Sequence, residues 1–233
     1  RQWKRLASKT PEILAYIKSR MVSDEVADLV NLGYDGRRIT FPIVDKFDQV
    51  VNAKKYDIHA KKNGRPKMIN HRDKLDDRSF GSPARLFPIS SFAMAREKCG
   101  GRIVLCEGEW DALALISIGI AAITGTHGCK AWNPEFNEDF RGLEVVIAYD
   151  NDKDGNSFWQ RPLKAIRSIA KAVYRLKIPS TAGKDVSDWM KSSDTMRQAE
   201  AWEAKFDRLT PQIENPDSAI DVITALYDYF MVG

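Results

Sequence analysis

The chain has 233 residues, enough for one large domain or two small ones. With 43% hydrophobic and 29% charged residues it has the balance of an ordinary soluble protein, and no run approaches the ~18 apolar residues of a membrane span. The net charge of +4 is unevenly spread: residues 54–85 hold ten Lys/Arg and four Asp, and the remainder is slightly acidic, a layout that suits holding a polyanion.

There is no signal peptide, and a start at Arg1 rather than Met suggests a piece of a longer protein. Residues 10–31 read as helical, with Thr10 at the cap, Pro11 in the first helical position and Glu12 in the first turn. Ser23-Asp-Glu-Val opens a second helix with a capping signature, and Gly33 and Gly36 then break the pattern. Arg38–Val44 and Gln49–Asp57 read as strands around an Asp45-Lys-Phe-Asp48 turn. Residues 58–80 are polar, basic and without apolar periodicity, and read as a loop. A short helix is expected over Ser91–Lys98.

From Gly101 the pattern alternates strand and helix. Strands are expected at Arg102–Cys106, Ala121–Thr124, Val145–Tyr149 and Ala172–Ile178, and helices near Trp110–Ser117, Pro134–Asp139, Pro162–Ala170 and from Val186 to Lys191. This implies an α/β fold with a mainly parallel sheet flanked by helices. The tail from Thr195 reads as two amphipathic helices, Ala199–Leu209 and Ala219–Phe230. The expected division is 1–100 for a small α+β unit, 101–194 for the α/β unit and 195–233 for a helical tail. Cys99, Cys106 and Cys129 are too few and too scattered for a zinc site or a disulfide framework, which fits a reducing cytoplasm.

Two acidic clusters sit at strand ends. Glu107-Gly-Glu-Trp-Asp111 follows Ile103-Val-Leu-Cys106, and Asp150-Asn-Asp-Lys-Asp-Gly155 follows Val145-Val-Ile-Ala-Tyr149. Ligand sites of open α/β sheets lie beyond the carboxyl ends of such strands. Carboxylates gathered there repel one another unless a cation neutralises them, which points to Mg²⁺. Asp150 and Asp152 alternate, so an extended chain points them the same way. The Asp-x-Asp-x-Asp-Gly run also resembles a calcium loop, but its twelfth position is Arg161 rather than glutamate. Asp154-Gly155 reads instead as the turn that caps the next helix. Asp111 either faces roughly with Glu107 or serves as an N-terminal helix acid. Asp188 is either a second ligand or a first-turn residue.

These residues carry a resemblance. Glu107-Gly-x-x-Asp111-Ala-Leu, Asp150-x-Asp152-x-x-Gly155 and Lys184-Asp185-x-x-Asp188-Trp are similar to the motif set of Toprim domains, found in topoisomerases, DnaG-type primases, phage primase–helicases and some nucleases. Tyr16-Ile-Lys-Ser-Arg20, Gly33-Tyr-Asp-Gly-Arg-Arg-Ile-Thr-Phe-Pro-Ile43, Arg65-Pro-Lys-Met68 and Gly81-Ser-Pro-x-x-Leu-Phe87 resemble the N-terminal subdomain of the primase polymerase core. The likeness runs from about residue 12 to 192 and is to primases of phage or plasmid type. It implies a DNA primase core that makes short RNA, or DNA, primers on single-stranded DNA from nucleoside triphosphates with Mg²⁺ or Mn²⁺. A replicative helicase, in cis or in trans, is the implied partner, with no membrane.

On this resemblance Glu107, Asp150, Asp152 and Asp185 carry the chemistry and hold metal, with Asp111 and Asp188 as further ligands. Arg37, Arg38, Lys54, Lys55, Tyr56, Arg65, Lys67, Ser82 and Arg85 are the expected contacts to template or nucleotide. Lys and Arg on phosphates give affinity without sequence readout, and Tyr56 is suited to stack on a base; the ordinary alternative is a solvated charge run. Gly125-Thr-His-Gly128 lacks the Walker A form; His127 reads as a structural hydrogen-bonding residue, and Trp110 and Trp189 as core aromatics. No tyrosine stands out as a topoisomerase nucleophile. The rival readings are a Toprim nuclease that uses water as its attacking group, and a non-catalytic single-strand-binding module.

Overall fold

The computed structural model describes residues 6–71, 83–176, 178, 183–191 and 213–214. Helix α1, Pro11–Ser19, begins with proline in its first turn and buries Ile13 and Ile17, one turn apart on the same face. Helix α2, Asp24–Leu29, is capped by the Ser23 hydroxyl, which accepts from the Val26 N–H at 3.2 Å. A four-stranded antiparallel sheet follows in the order β1 (Gly33–Tyr34), β2 (Ile39–Val44), β3 (Val50–Tyr56), β4 (Met68–Asn70). In the β2–β3 turn the Asp45 carboxylate accepts from the N–H groups of Phe47 and Gln49. The segment 58–80, expected as a loop, holds β4 and a short helix α3, Ala60–Asn63, which stops where Gly64 turns left-handed at φ 59°. Neither element is long enough to show a period.

The second sheet has six strands in the order β10 (Ile213–Glu214), β9 (Ala172–Leu176), β8 (Glu144–Ala148), β6 (Arg102–Cys106), β7 (Ala122–Gly125), β5 (Leu86–Phe87). Strands β9, β8, β6 and β7 are parallel, and β5 and β10 close the edges antiparallel. Thus β5, which the expected boundary at residue 100 assigns to the first unit, belongs to the large sheet. Helix α4, Ser91–Lys98, and β6 lie where the sequence places them, while β7 and β8 are each displaced by one residue. The helix expected over Pro162–Ala170 is α7, Gln160–Ile166, which starts two residues earlier and ends four residues sooner; helix α6, Lys153–Phe158, precedes it where the sequence suggests a turn. Of the tail, β10 is described and pairs with β9; the helices expected at Ala199–Leu209 and Ala219–Phe230 lie outside the described residues.

The central strands are covered on both faces, which is why they read as unbroken apolar runs. Val104, Cys106, Val146 and Ala148 face α1, α2 and helix α5 (Glu109–Ser117). Ile103, Leu105, Val145 and Ile147 face α4, α7 and a 3-10 helix over Pro134–Phe140. The small sheet packs on the first side. Phe41 and Tyr56 meet the Trp110 ring edge-on at centroid distances of 4.9 and 5.4 Å, and the Ser23 N–H donates to the Ser117 hydroxyl at 2.9 Å. Among the described residues no helix is long and apolar enough to cross a membrane.

Candidate active site

The chain runs from β6 through α5 to β7 on one side, then returns to place β8 on the other side of β6. Strand order reverses there, and the crevice at the carboxyl ends of β6 and β8 is where such sheets bind ligands. Cys106 and Ala148 are register partners. Glu107 therefore leaves one strand beside the point where Asp150 leaves the next. Helix α8, Val186–Lys191, follows β9 and brings Asp185 to the same rim.

Glu107 is half-buried. Its Oε1 accepts from the Cys129 thiol at 3.2 Å, and its Oε2 is buried without a partner among the described residues. Burial raises its pKa, and the Asp150 charge raises it further. Burial and the bond to Glu107 push the Cys129 thiol up to about 12, so it stays a neutral donor. Burial also raises Asp150, against the opposing pull of Lys184. Burial raises Asp152 as well, but the Gly155 N–H and Lys184 together outweigh it and hold its carboxyl below the usual range. Lys184 Nζ stands 3.1 Å from Asp150 Oδ2 and 2.9 Å from Asp152 Oδ2.

The acid loops are fixed by local bonds. Asp152, rather than the expected Asp154, caps α6 by accepting from the Gly155 N–H at 2.9 Å. Asp154 pairs with Lys130 at 2.6 Å on the surface. The Asn151 N–H donates to the Lys184 carbonyl at 2.7 Å, lacing the loop after β8 to the loop after β9. Asp185 Oδ1 accepts from the Asp188 N–H at 2.6 Å, and Asp188 Oδ2 accepts from the Lys184 N–H at 3.2 Å, so both also shape the start of α8. Asp111 is 5% exposed and binds Ser187 through the latter's N–H (3.1 Å) and hydroxyl, bolting α5 to α8. Burial, then the Asp185 charge, raise its pKa to about 7 against the pull of Ser187.

Gly155 shows how tightly this is built. A Cβ there would stand 2.0 Å from the Asp150 carbonyl oxygen. Gly155→Ala should therefore displace the Asp150–Asp152 loop and cost roughly 1–3 kcal/mol, the usual price of overpacking. Gly125→Ala, whose Cβ would meet nothing closer than 3.9 Å, should stay near native in thermal unfolding. Equal stability of the two variants would contradict this packing.

Among the described residues no three His, Cys, Asp or Glu side chains form a closed ligand set for one ion. The donors at the rim nevertheless suit a hard divalent cation. All are carboxylates, and Glu107 Oε2 is unpaired.

The expected nucleic-acid contacts divide into two groups. Four are tied up internally, a correction to the expectation that they face template or nucleotide. Arg38, 7% exposed, pairs with Asp57 at 3.3 Å and donates to the Pro66 carbonyl. Buried Lys54 binds Glu109 and the Thr126 carbonyl. Lys55 pairs with Asp35 at 2.7 Å. Tyr56 offers no face to a base: it is 4% exposed, packs on Trp110, and shares a 2.6 Å hydrogen bond with the Tyr16 hydroxyl. Arg37, Arg65 and Lys67 are exposed, with the Lys67 ammonium 5.4 Å from the Tyr56 ring centroid. Arg85 is half-buried, its backbone clasped to Thr126 and its Nε buried without a partner among the described residues. Ser82 lies outside the described residues. His127 is exposed beside the Thr126 hydroxyl, and Trp110 and Trp189 are core residues. Reading the sequence assigned no role to Lys184 or Cys129. The signal for Lys184 was its place beside Asp185; for Cys129 there was only its place after Gly128.

Residues 104–190 match the Toprim-like family model. No curated protein matches the chain. Among solved structures, the catalytic core of DnaG is similar at 20% identity and a TM-score of 0.66, over 97% of this chain and 85% of that one. The zinc-binding and RNA polymerase domains of the Aquifex aeolicus primase match at 22% identity and a TM-score of 0.63, over 90% of this chain; the chain spans 63% of that structure. A DnaG primase catalytic domain bound to single-stranded DNA matches at 19% identity and a TM-score of 0.64, over 92% of this chain and 81% of that one. Residues 104–190 are thus a Toprim-like domain, and the chain as a whole has the fold of DnaG-type primase catalytic cores.

Proposed function

We propose that this chain is a DNA primase catalytic core, which copies single-stranded DNA into a short RNA or DNA primer by joining nucleoside triphosphates and releasing pyrophosphate. One observation carries the reading. The likeness to primase cores takes in the small antiparallel sheet and its helices as well as the Toprim-like segment, whereas a Toprim nuclease would need only the latter to correspond.

In this reading Glu107, Asp150, Asp152 and Asp185 hold Mg²⁺ or Mn²⁺. A divalent ion there supplies neutralisation of triphosphate charge and a lower pKa for the attacking 3′-hydroxyl. The rest is done by the chain itself. Glu107, a half-buried carboxyl of raised pKa at the rim, is suited to take the hydroxyl proton. The Cys129 thiol holds that carboxyl in place by donating to Oε1. Exposed Arg37, Arg65 and Lys67 grip template phosphates without reading bases. A replicative helicase, in cis or in trans, is the partner for such a core in the cytoplasm of a bacterial or infected cell.

The test is incubation of the protein with a single-stranded template, labelled nucleoside triphosphates, and Mg²⁺ or Mn²⁺. Template-dependent short products with pyrophosphate release are expected. Shortening of the template would favour the nuclease reading, and binding with neither product would favour a non-catalytic module.

A further inference from the structure

The cation nearest the acidic rim belongs to the protein. Lys184 Nζ lies 3.1 Å from Asp150 Oδ2 and 2.9 Å from Asp152 Oδ2, bridging the two carboxylates that alternate beyond β8. No other cation pairs with either aspartate among the described residues. The root of this lysine is held at two points: its carbonyl accepts from the Asn151 N–H at 2.7 Å, and its N–H donates to Asp188 at 3.2 Å. Its side chain is 55% exposed, so the ammonium can withdraw to water while the backbone stays in place. The aspartates differ from it, being only 14% and 33% exposed at the side chain. Two carboxylates within reach of one ammonium are close enough to repel each other without it.

We propose that Lys184 is a resident counter-cation of this rim, which keeps Asp150 and Asp152 together in the metal-free protein and which a divalent ion must displace in order to bind. The inference rests on the metal-binding role given to these aspartates above. It makes Lys184 a positioning residue and a competitor of the metal. A metal ligand or a phosphate clamp would behave differently: removing either would weaken the loaded site.

The test is Mn²⁺ binding at pH 8, followed by the electron paramagnetic resonance signal of free Mn²⁺, for the native chain, Lys184→Met and Lys184→Arg. Lys184→Met should bind Mn²⁺ about fivefold more tightly, the factor typical of losing one part-exposed ion pair as competitor. Lys184→Arg should not tighten. Without metal, Lys184→Met should melt below the native chain, and saturating Mn²⁺ should close the gap. Circular dichroism checks folding, and a Lys184→Met chain that folds only once Mn²⁺ is added would equally support the proposal. Lys184→Gln replaces it if that variant fails to fold under both conditions. Native binding with equal or weaker binding by the folded variant overturns this inference alone. Absence of Mn²⁺ binding by the native chain overturns it together with the metal reading of the site.

Discussion

Lys54→Met should strip about 3–5 kcal/mol from the folded state, the range for leaving one member of a buried ion pair without its partner. Lys54 on β3 reaches Glu109, in the first turn of α5, and the Thr126 carbonyl beyond β7. The side chains are 10% and 7% exposed, so water cannot replace what is lost. Such a cost is a large share of the roughly 5–15 kcal/mol that holds a domain together. The double variant Lys54→Met/Glu109→Met should recover most of it, because two apolar residues of similar volume often replace a buried pair at little net cost. Urea unfolding of the three proteins measures this. If the single variant kept native stability and instead lost affinity for single-stranded DNA, Lys54 would be a surface contact, and the ion pair would not describe the molecule.

Glu107→Gln should reduce primer synthesis by about 10²–10⁴-fold, the span expected for losing a group that moves a proton in the transition state. The fold should survive. The amide retains an oxygen to accept from Cys129, and removing a carboxyl that burial already disfavours as an ion relieves repulsion with Asp150. The melting temperature should hold or rise while activity falls. A variant with a substantial share of native turnover would leave Glu107 as a structural acid and require another proton acceptor.

The elements legible in the sequence were those with the strongest physical signature. Strand β6, buried on both sides, reads as an uninterrupted apolar run, and α4 and α8 coincide with expectation. Strand β4 and helix α3 escaped because three or four residues hold no period. Helix α6 escaped because its polar residues, Lys153–Phe158, look like a turn once Asp154-Gly155 is taken as its cap. At the rim, the acids were visible because they follow strands directly. Their partners were not. Lys54 finds Glu109 at a separation of 55 residues, and Asp111 finds Ser187 at 76. Charge patterns say where cations are plentiful, whereas topology decides which are spent inside the fold. For that reason Arg38, Lys54 and Lys55 read as grips on a polyanion and are instead bonded to Asp57, Glu109 and Asp35.

The lacing between Asn151 and Lys184 has a consequence for how such a molecule can change over time. That stitch joins main-chain atoms, so any residue but proline at position 151 can make it. Substitutions along this edge that keep Gly155 and the capping Asp152 therefore leave this link between the two loops in place. In the reading proposed above, the neighbouring small sheet presents the substrate to this edge, and a lineage that exchanged that layer would set the same acids before a different one.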